Sequence, residues 1–115
     1  MASRLILIRH AAVAENTDKR YIGSGTDASL NDEGRRQAEA LVRRLEHVRI
    51  DQLLVSPLSR AKETAAPLAQ VNGVTLDTDD RLKEIHFGRW EGRTFSEIPD
   101  KDAGYIQEWV SDPLR

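Results

Sequence analysis

Short aliphatic segments alternate with helix-forming segments along most of this sequence, and the alternation constrains the fold more than any other feature. The aliphatic segments are residues 5–8 (LILI), the apolar part of residues 51–55 (DQLLV) and residues 74–77 (VTLD). Continuous apolar runs with β-branched members are typical of strands buried on both faces of a parallel sheet. A strand–helix–strand–helix–strand order therefore predicts an α/β fold with right-handed crossovers and a mainly parallel sheet.

The first predicted helix begins after Asn31, a residue type that often caps helix N-termini. Asp32 and Glu33 follow in the first turn, where the helix dipole favours carboxylates. An apolar stripe with helical spacing then follows, formed by Ala38, Leu41, Val42, Leu45 and Val48. This pattern predicts a helix that packs one face against the sheet.

The second predicted helix follows residues 51–55 directly. Ser56 is its expected N-cap and Pro57 its expected first residue, because proline is favoured at that position. Pro67 is expected to kink the helix or to end it early. Asn72 and Gly73 form a predicted turn before the third strand.

Composition excludes several classes of protein. The chain has 115 residues, a formal net charge of −2 and no cysteine. These values argue against a basic nucleic-acid or membrane-surface protein, a disulfide scaffold, a thiolate nucleophile and a cysteine-based metal site. Residues 5–8 are too few for a signal sequence or a membrane span, so the expected compartment is the cytoplasm. Residues 1–115 are expected to belong to a single domain.

Charged and polar side chains follow each predicted strand. Arg9 and His10 follow the first strand, the helix after the second strand carries Arg60, and the third leads to Glu84. Because ligands of open α/β sheets bind beyond the carboxyl ends of the strands, these side chains are expected to meet at one edge.

This set of side chains suits phosphoryl transfer. A neutral imidazole such as that of His10 can attack phosphorus and form a phosphohistidine. The guanidinium groups of Arg9 and Arg60 match phosphate oxygens, and a carboxylic acid such as Glu84 can protonate the leaving alkoxide. Such a pair requires a neutral His10 and a protonated Glu84, which predicts a bell-shaped dependence of rate on pH.

Each of these residues also has an ordinary structural interpretation. His10 can be a hydrogen-bonded structural histidine, and Arg9 a solvated strand end. Arg60 can pair on the surface with Glu63 or Glu46. Glu84 is one of 19 acidic residues in the chain. Considered singly, the residues do not define a site.

Four segments taken in order resemble the histidine phosphatase superfamily, which has the phosphoglycerate mutase-like fold. The first, LILIRHAAVAEN, runs from a strand into Arg-His and ends at Asn16. The second, YIGSGTDASLNDEGRRQAEAL, carries Gly34, Gln37 and Ala38 at the family's spacing. The third and fourth are SPLSRAKETA and RLKEIHFGRWEG. Its ending, Trp90-Glu91-Gly92, is more similar to the phosphatase branch, which includes alpha-ribazole phosphatase, than to the mutases.

The resemblance implies a three-layer α/β/α fold and a role for each site residue. His10 becomes the phosphorylated nucleophile and Glu84 the general acid. Phosphate is bound by Arg9, Asn16, Gly23 and Arg60. The resemblance implies no metal and no cofactor. The expected partner is a small-molecule phosphate ester, not nucleic acid or a membrane, and a homo-oligomer remains open.

Two departures from the family pattern affect the expected activity. Ala11 replaces the family's glycine after the histidine, and its carbonyl can still orient the imidazole if the backbone is extended there. The family also uses a second histidine late in the chain, and neither His47 nor His86 matches it. The sequence thus predicts a partial domain, incomplete at the C-terminus, with Arg115 as an artificial or accidental end.

This interpretation leaves three hypotheses about function. The leading one is hydrolysis of phosphomonoesters through a phosphohistidine on His10. The alternative is a catalytically impaired or inactive fragment that binds phosphate and lacks the second histidine. A phosphoglycerate-type mutase is the third and the least favoured.

Overall fold

The computed structural model describes residues 4–14, 23–84, 89 and 91–94. Helix α1 spans Asp32–Arg44, strand β1 Leu53–Val55, helix α2 Ser59–Asn72 and strand β2 Leu76–Thr78. A short 3-10 helix, Asp80–Leu82, follows β2. The order confirms the predicted alternation of helices and strands from the first helix onwards.

Strands β1 and β2 pair in parallel and form a two-stranded sheet within the described part of the chain. Leu53 lies opposite Leu76, and Val55 lies opposite Thr78. Helix α2 is the crossover between them, as parallel strands require. The α/β class and the parallel pairing are therefore confirmed.

Helix α1 begins as the sequence predicts. The Asn31 side chain accepts a hydrogen bond from the Gly34 backbone N–H at 2.8 Å and so caps the first turn. Gly34 and Ala38 are the fully buried residues of the helix, and both lie on the face that the apolar stripe indicates. The N-cap predicted for α1, Asn31, is therefore confirmed.

Helix α2 differs from its prediction at both its start and its proline. It begins at Ser59 with Leu58 in the N-cap position, so the assignment of Ser56 and Pro57 as N-cap and first residue is wrong. The helix continues past Pro67 to Asn72, so the early end is also wrong. It ends at Gly73, whose φ of 64° is the left-handed conformation that glycine adopts readily at this position.

Residues 5–8 do not form the predicted buried strand. Leu5 and Leu7 are 83% and 86% exposed, and Ile6 and Ile8 are 40% and 43% exposed. Among the described residues no strand lies beside this segment. An aliphatic run is suited to burial, but burial also requires neighbours on both faces, and the described elements provide none.

Two groups of small apolar side chains form the core. Ala11, Val13, Leu30 and Ala38 pack together where the segment after His10 meets α1. Leu68, Ala65 and Ala69 are buried on α2, as is Val55 on β1. Of the helices in the described ranges, none is long and apolar enough to cross a bilayer.

Candidate active site

The imidazole of His10 is half-buried and is oriented by the backbone of the next residue. Its Nδ1 atom lies 2.7 Å from the carbonyl oxygen of Ala11. Because a carbonyl oxygen only accepts hydrogen bonds, this contact requires the proton on Nδ1. A neutral ring then carries its lone pair on Nε2, the form that a nucleophilic histidine needs.

Helix α2 fixes the residue that follows His10. The Ala11 N–H donates to Thr64 Oγ1 at 2.9 Å, and the Thr64 hydroxyl donates to the Arg60 carbonyl oxygen at 2.7 Å. Thr64 is 5% exposed, so these hydrogen bonds are shielded from solvent. Two hydrogen bonds therefore connect the His10 segment to the backbone of Arg60.

Helix α1 and its N-cap residue hold the next residue, Ala12, through both its N–H and its carbonyl group. The Ala12 N–H donates to Gln37 Oε1 at 2.9 Å, and its carbonyl accepts from the Asn31 N–H at 3.0 Å. A Cβ placed on Gly34 would lie 2.1 Å from the Ala12 oxygen, so only glycine permits this approach. Gly34 thus allows the close approach of α1, and Gln37 binds the backbone just after His10.

Arg60 is buried at 1% exposure and binds the backbone of a turn. Its NH1 donates to the Thr26 carbonyl at 2.6 Å and its NH2 to the Gly23 carbonyl at 3.0 Å. Among the described residues, these bonds use two of the five N–H donors of the guanidinium. The surface pairing with Glu63 or Glu46 is not observed: Glu63 accepts from the Leu30 N–H, and Glu46 lies beside His47.

Glu91 contacts the same turn from another direction. Its Oε2 accepts from the Gly23 N–H at 2.9 Å and from the Thr26 hydroxyl. Gly23 is buried. One turn is therefore held between the carboxylate of Glu91 and the guanidinium of Arg60.

Arg9 and Glu84 are both exposed. In the described part of the chain, no hydrogen bond or ion pair joins either of them to His10 or Arg60. Glu84 follows the 3-10 helix, where Asp79 and Arg81 form an ion pair of 2.6 Å. The hydrogen bonds from Arg81 lower the pKa of Asp79. Asn16, His86 and Trp90 lie outside the described residues.

Asp27, which follows the turn of residues 23–26, is hydrogen-bonded to the first residue of α2. Its carboxylate accepts from the Ser59 N–H at 2.6 Å and from the Ser59 hydroxyl at 3.1 Å. The backbone hydrogen bond from Ser59 is the main reason why the pKa of Asp27 lies below its ordinary value. Asp27 therefore caps a helix from which it is distant in sequence.

Sequence reasoning did not identify Thr64, Glu91 or Asp27 as site residues. A signal existed for Thr64, which lies four positions after Arg60 and so on the same face of a helix. Glu91 lies in the Trp90-Glu91-Gly92 sequence, which indicates the branch of the family but by itself no role in the site. Nothing local connects Asp27 to Ser59.

Comparison with known proteins agrees with this geometry. The family model of the histidine phosphatase superfamily (branch 1) matches residues 5–115. The chain belongs to this superfamily. It is 34% identical to phosphoserine phosphatase 1 of Hydrogenobacter thermophilus, over 96% of this chain and 52% of that protein. It is 33% identical to glucosyl-3-phosphoglycerate phosphatase of Mycobacterium tuberculosis, over 96% of this chain and 49% of the relative.

Solved structures show the same similarity. Mycobacterial glucosyl-3-phosphoglycerate phosphatase in complex with VO3 superposes with a TM-score of 0.80 at 32% identity, covering 87% of this chain and 49% of the other. Alpha-ribazole phosphatase from Shigella flexneri gives 0.79 at 31% identity, covering 91% and 52%. The predicted resemblance to the phosphatase branch is confirmed. The chain spans about half the length of these relatives.

Proposed function

We propose that this chain carries the nucleophile and the phosphate-binding arginine of a phosphomonoester hydrolase that acts through a phosphohistidine on His10. The observation that carries the proposal is the contact between His10 Nδ1 and the Ala11 carbonyl, which directs the lone pair to Nε2. The same segment is joined through Thr64 to the backbone of Arg60. A nucleophile and a buried cation are thus held by one hydrogen-bonded unit.

The reaction has two displacements. His10 Nε2 attacks phosphorus, a P–N bond forms, and the P–O bond to the leaving group breaks. Glu84 gives its proton to the leaving alkoxide. Water then attacks the phosphohistidine, Glu84 takes its proton, and cleavage of the P–N bond releases phosphate and restores His10. This sequence of steps needs no metal or cofactor.

The remaining side chains bind the transferring group. Arg60 offers the N–H donors that the turn does not use, and Arg9 adds a second cation. Asn16 and Gly23 complete the proposed phosphate pocket. The relatives are named as phosphatases of phosphoserine and of glucosyl-3-phosphoglycerate, which supports a small-molecule phosphate ester as substrate. The proposed compartment is the cytoplasm.

A second candidate is a protein that binds phosphate without turning over an ester. One observation favours it: Glu84 is exposed, and among the described residues no contact joins it to His10. Phosphate binding without any hydrolysis would select this candidate.

The test compares hydrolysis of para-nitrophenyl phosphate by the wild type and by His10→Ala. We expect the variant to lose about 10³-fold or more in kcat, because the nucleophile is removed. Rapid denaturation during turnover should trap acid-labile phosphate on the wild type only. His47→Ala is the matched control, since the His47 side chain is 92% exposed. Equal turnover by wild type and His10→Ala would exclude His10 as the nucleophile.

A further inference from the structure

Two residues of one turn each bind both Arg60 and Glu91. Gly23 accepts from Arg60 through its carbonyl and donates to Glu91 through its N–H. Thr26 accepts from Arg60 through its carbonyl and donates to Glu91 through its hydroxyl. The turn closes on itself through a bond of 3.3 Å from the Thr26 N–H to the Gly23 carbonyl.

This arrangement is directional. The Gly23 N–H and the Thr26 hydroxyl both donate to a single oxygen of Glu91, and the Gly23 and Thr26 carbonyls accept from the terminal nitrogens of Arg60. Glu91 holds one side of the turn, and the carbonyls of the same two residues are thereby held facing the guanidinium of Arg60. The buried guanidinium needs this compensation, because an unpaired charge at 1% exposure would be strongly unfavourable.

We propose that Glu91 is a positioning residue for Arg60, acting through the turn of residues 23–26 to hold the guanidinium in its phosphate-binding orientation. The proposal rests on the proposed role of Arg60 as a phosphate ligand. Glu91 itself does not touch the phosphate. It fixes the turn, the turn occupies two of the five guanidinium N–H donors, and the other donors then have one orientation.

Charge and position predict opposite effects when Glu91 is replaced. If the carboxylate only repelled a bound anion, removing it would strengthen phosphate binding. If it orients Arg60 through the turn, removing it frees the guanidinium and weakens phosphate binding. The direction of the change therefore distinguishes the two roles.

The first measurement is amide hydrogen exchange at Gly23 by NMR, which does not depend on activity. In Glu91→Ala we expect exchange at Gly23 to accelerate about tenfold or more, because the N–H loses its acceptor. Glu91→Gln keeps an oxygen acceptor without the charge and should give a smaller acceleration. Glu39→Ala is the control, since Glu39 is exposed on α1 and should leave Gly23 unchanged.

The second measurement is the affinity for inorganic phosphate, by calorimetry. We expect Kd to rise about tenfold in Glu91→Ala, less in Glu91→Gln and not at all in Glu39→Ala. With an ester substrate the same change should appear mainly in KM. Unchanged exchange at Gly23, or phosphate binding as tight as in the wild type, would overturn the proposal. A wild type that binds phosphate but hydrolyses nothing contradicts the role of His10 and leaves the role of Glu91 standing.

Discussion

At the scale of single residues, the backbone just after His10 is held by hydrogen bonds from two directions. Ala11 is bonded to Thr64, while Ala12 is bonded to Gln37 and Asn31. Thr64 and Gln37 lie in α2 and α1, and Asn31 is the N-cap of α1, so both helices meet the residues just after the histidine. This is also where the family's glycine is replaced by alanine: the Ala11 carbonyl still orients the imidazole, as the sequence predicts.

Gly34→Ala tests how closely α1 must approach this segment. The added methyl would lie 2.1 Å from the Ala12 carbonyl oxygen, and neither backbone can yield without breaking a hydrogen bond. We expect a loss of about 1–3 kcal/mol in the free energy of unfolding, measured with urea, as in other overpacked sites. The NMR signals of the His10 ring should shift as well.

Gly73→Ala is the contrasting variant for Gly34→Ala. A Cβ on Gly73 meets no atom within 4 Å, but φ at this residue is +64°. We expect a loss of about 1 kcal/mol from backbone strain alone, with the His10 ring signals unchanged. If Gly34→Ala also left the ring signals in place, the contact with Ala12 would not position the nucleophile.

At the scale of elements, local signals were predictable and remote ones were not. Asn31 caps α1 from the adjacent residue, and the sequence shows it. The cap of α2 comes from Asp27, 32 residues before Ser59, so local reasoning chose Ser56 in its place. The turn between Gly23 and Thr26 is fixed by residues as distant as Glu91, and no helix or strand pattern indicates such contacts.

Asp27→Ala tests the remote cap and its dependence on pH. The pKa of Asp27 in the folded protein lies below its ordinary value of 3.8. The stabilisation is therefore fully present above that value and is lost as pH falls through the lower, folded-state pKa. At neutral pH we expect the variant to be less stable by about 0.5–1 kcal/mol, the lower part of the N-cap range because the carboxylate is exposed.

The measurement for Asp27→Ala is urea unfolding of both proteins over a series of pH values. The difference in stability should be constant from neutral pH down to about pH 5 and then shrink towards about pH 2. A difference that persists undiminished at the acid end would show that Asp27 contributes by packing and not by its charge.

At the scale of the whole molecule, the parallel α/β arrangement was predictable, but the position of the first aliphatic segment was not. Periodicity defines α1, β1, β2 and the body of α2, because each is determined mostly by its own sequence. The start of α2 is the exception, since its cap is distant in sequence. Residues 5–8 have an equally clear apolar pattern, yet their exposure depends on which elements lie beside them. An apolar pattern shows that a segment is suited to burial, and the elements packed beside the segment determine whether it is buried.

The difference between apolar sequence and actual burial determines how replacing Leu7 should affect the free energy of unfolding. Leu7 is 86% exposed and Leu68 is 1% exposed, although both are leucines in apolar stretches. Leu7→Lys should change the free energy of unfolding by no more than about 0.5 kcal/mol, since no packing is lost. Leu68→Ala should cost about 2–5 kcal/mol, because it leaves a cavity against α2. Urea unfolding of the two variants measures both values. A loss for Leu7→Lys as large as that for Leu68→Ala would mean that residues 5–8 are buried in solution, as their sequence alone predicts.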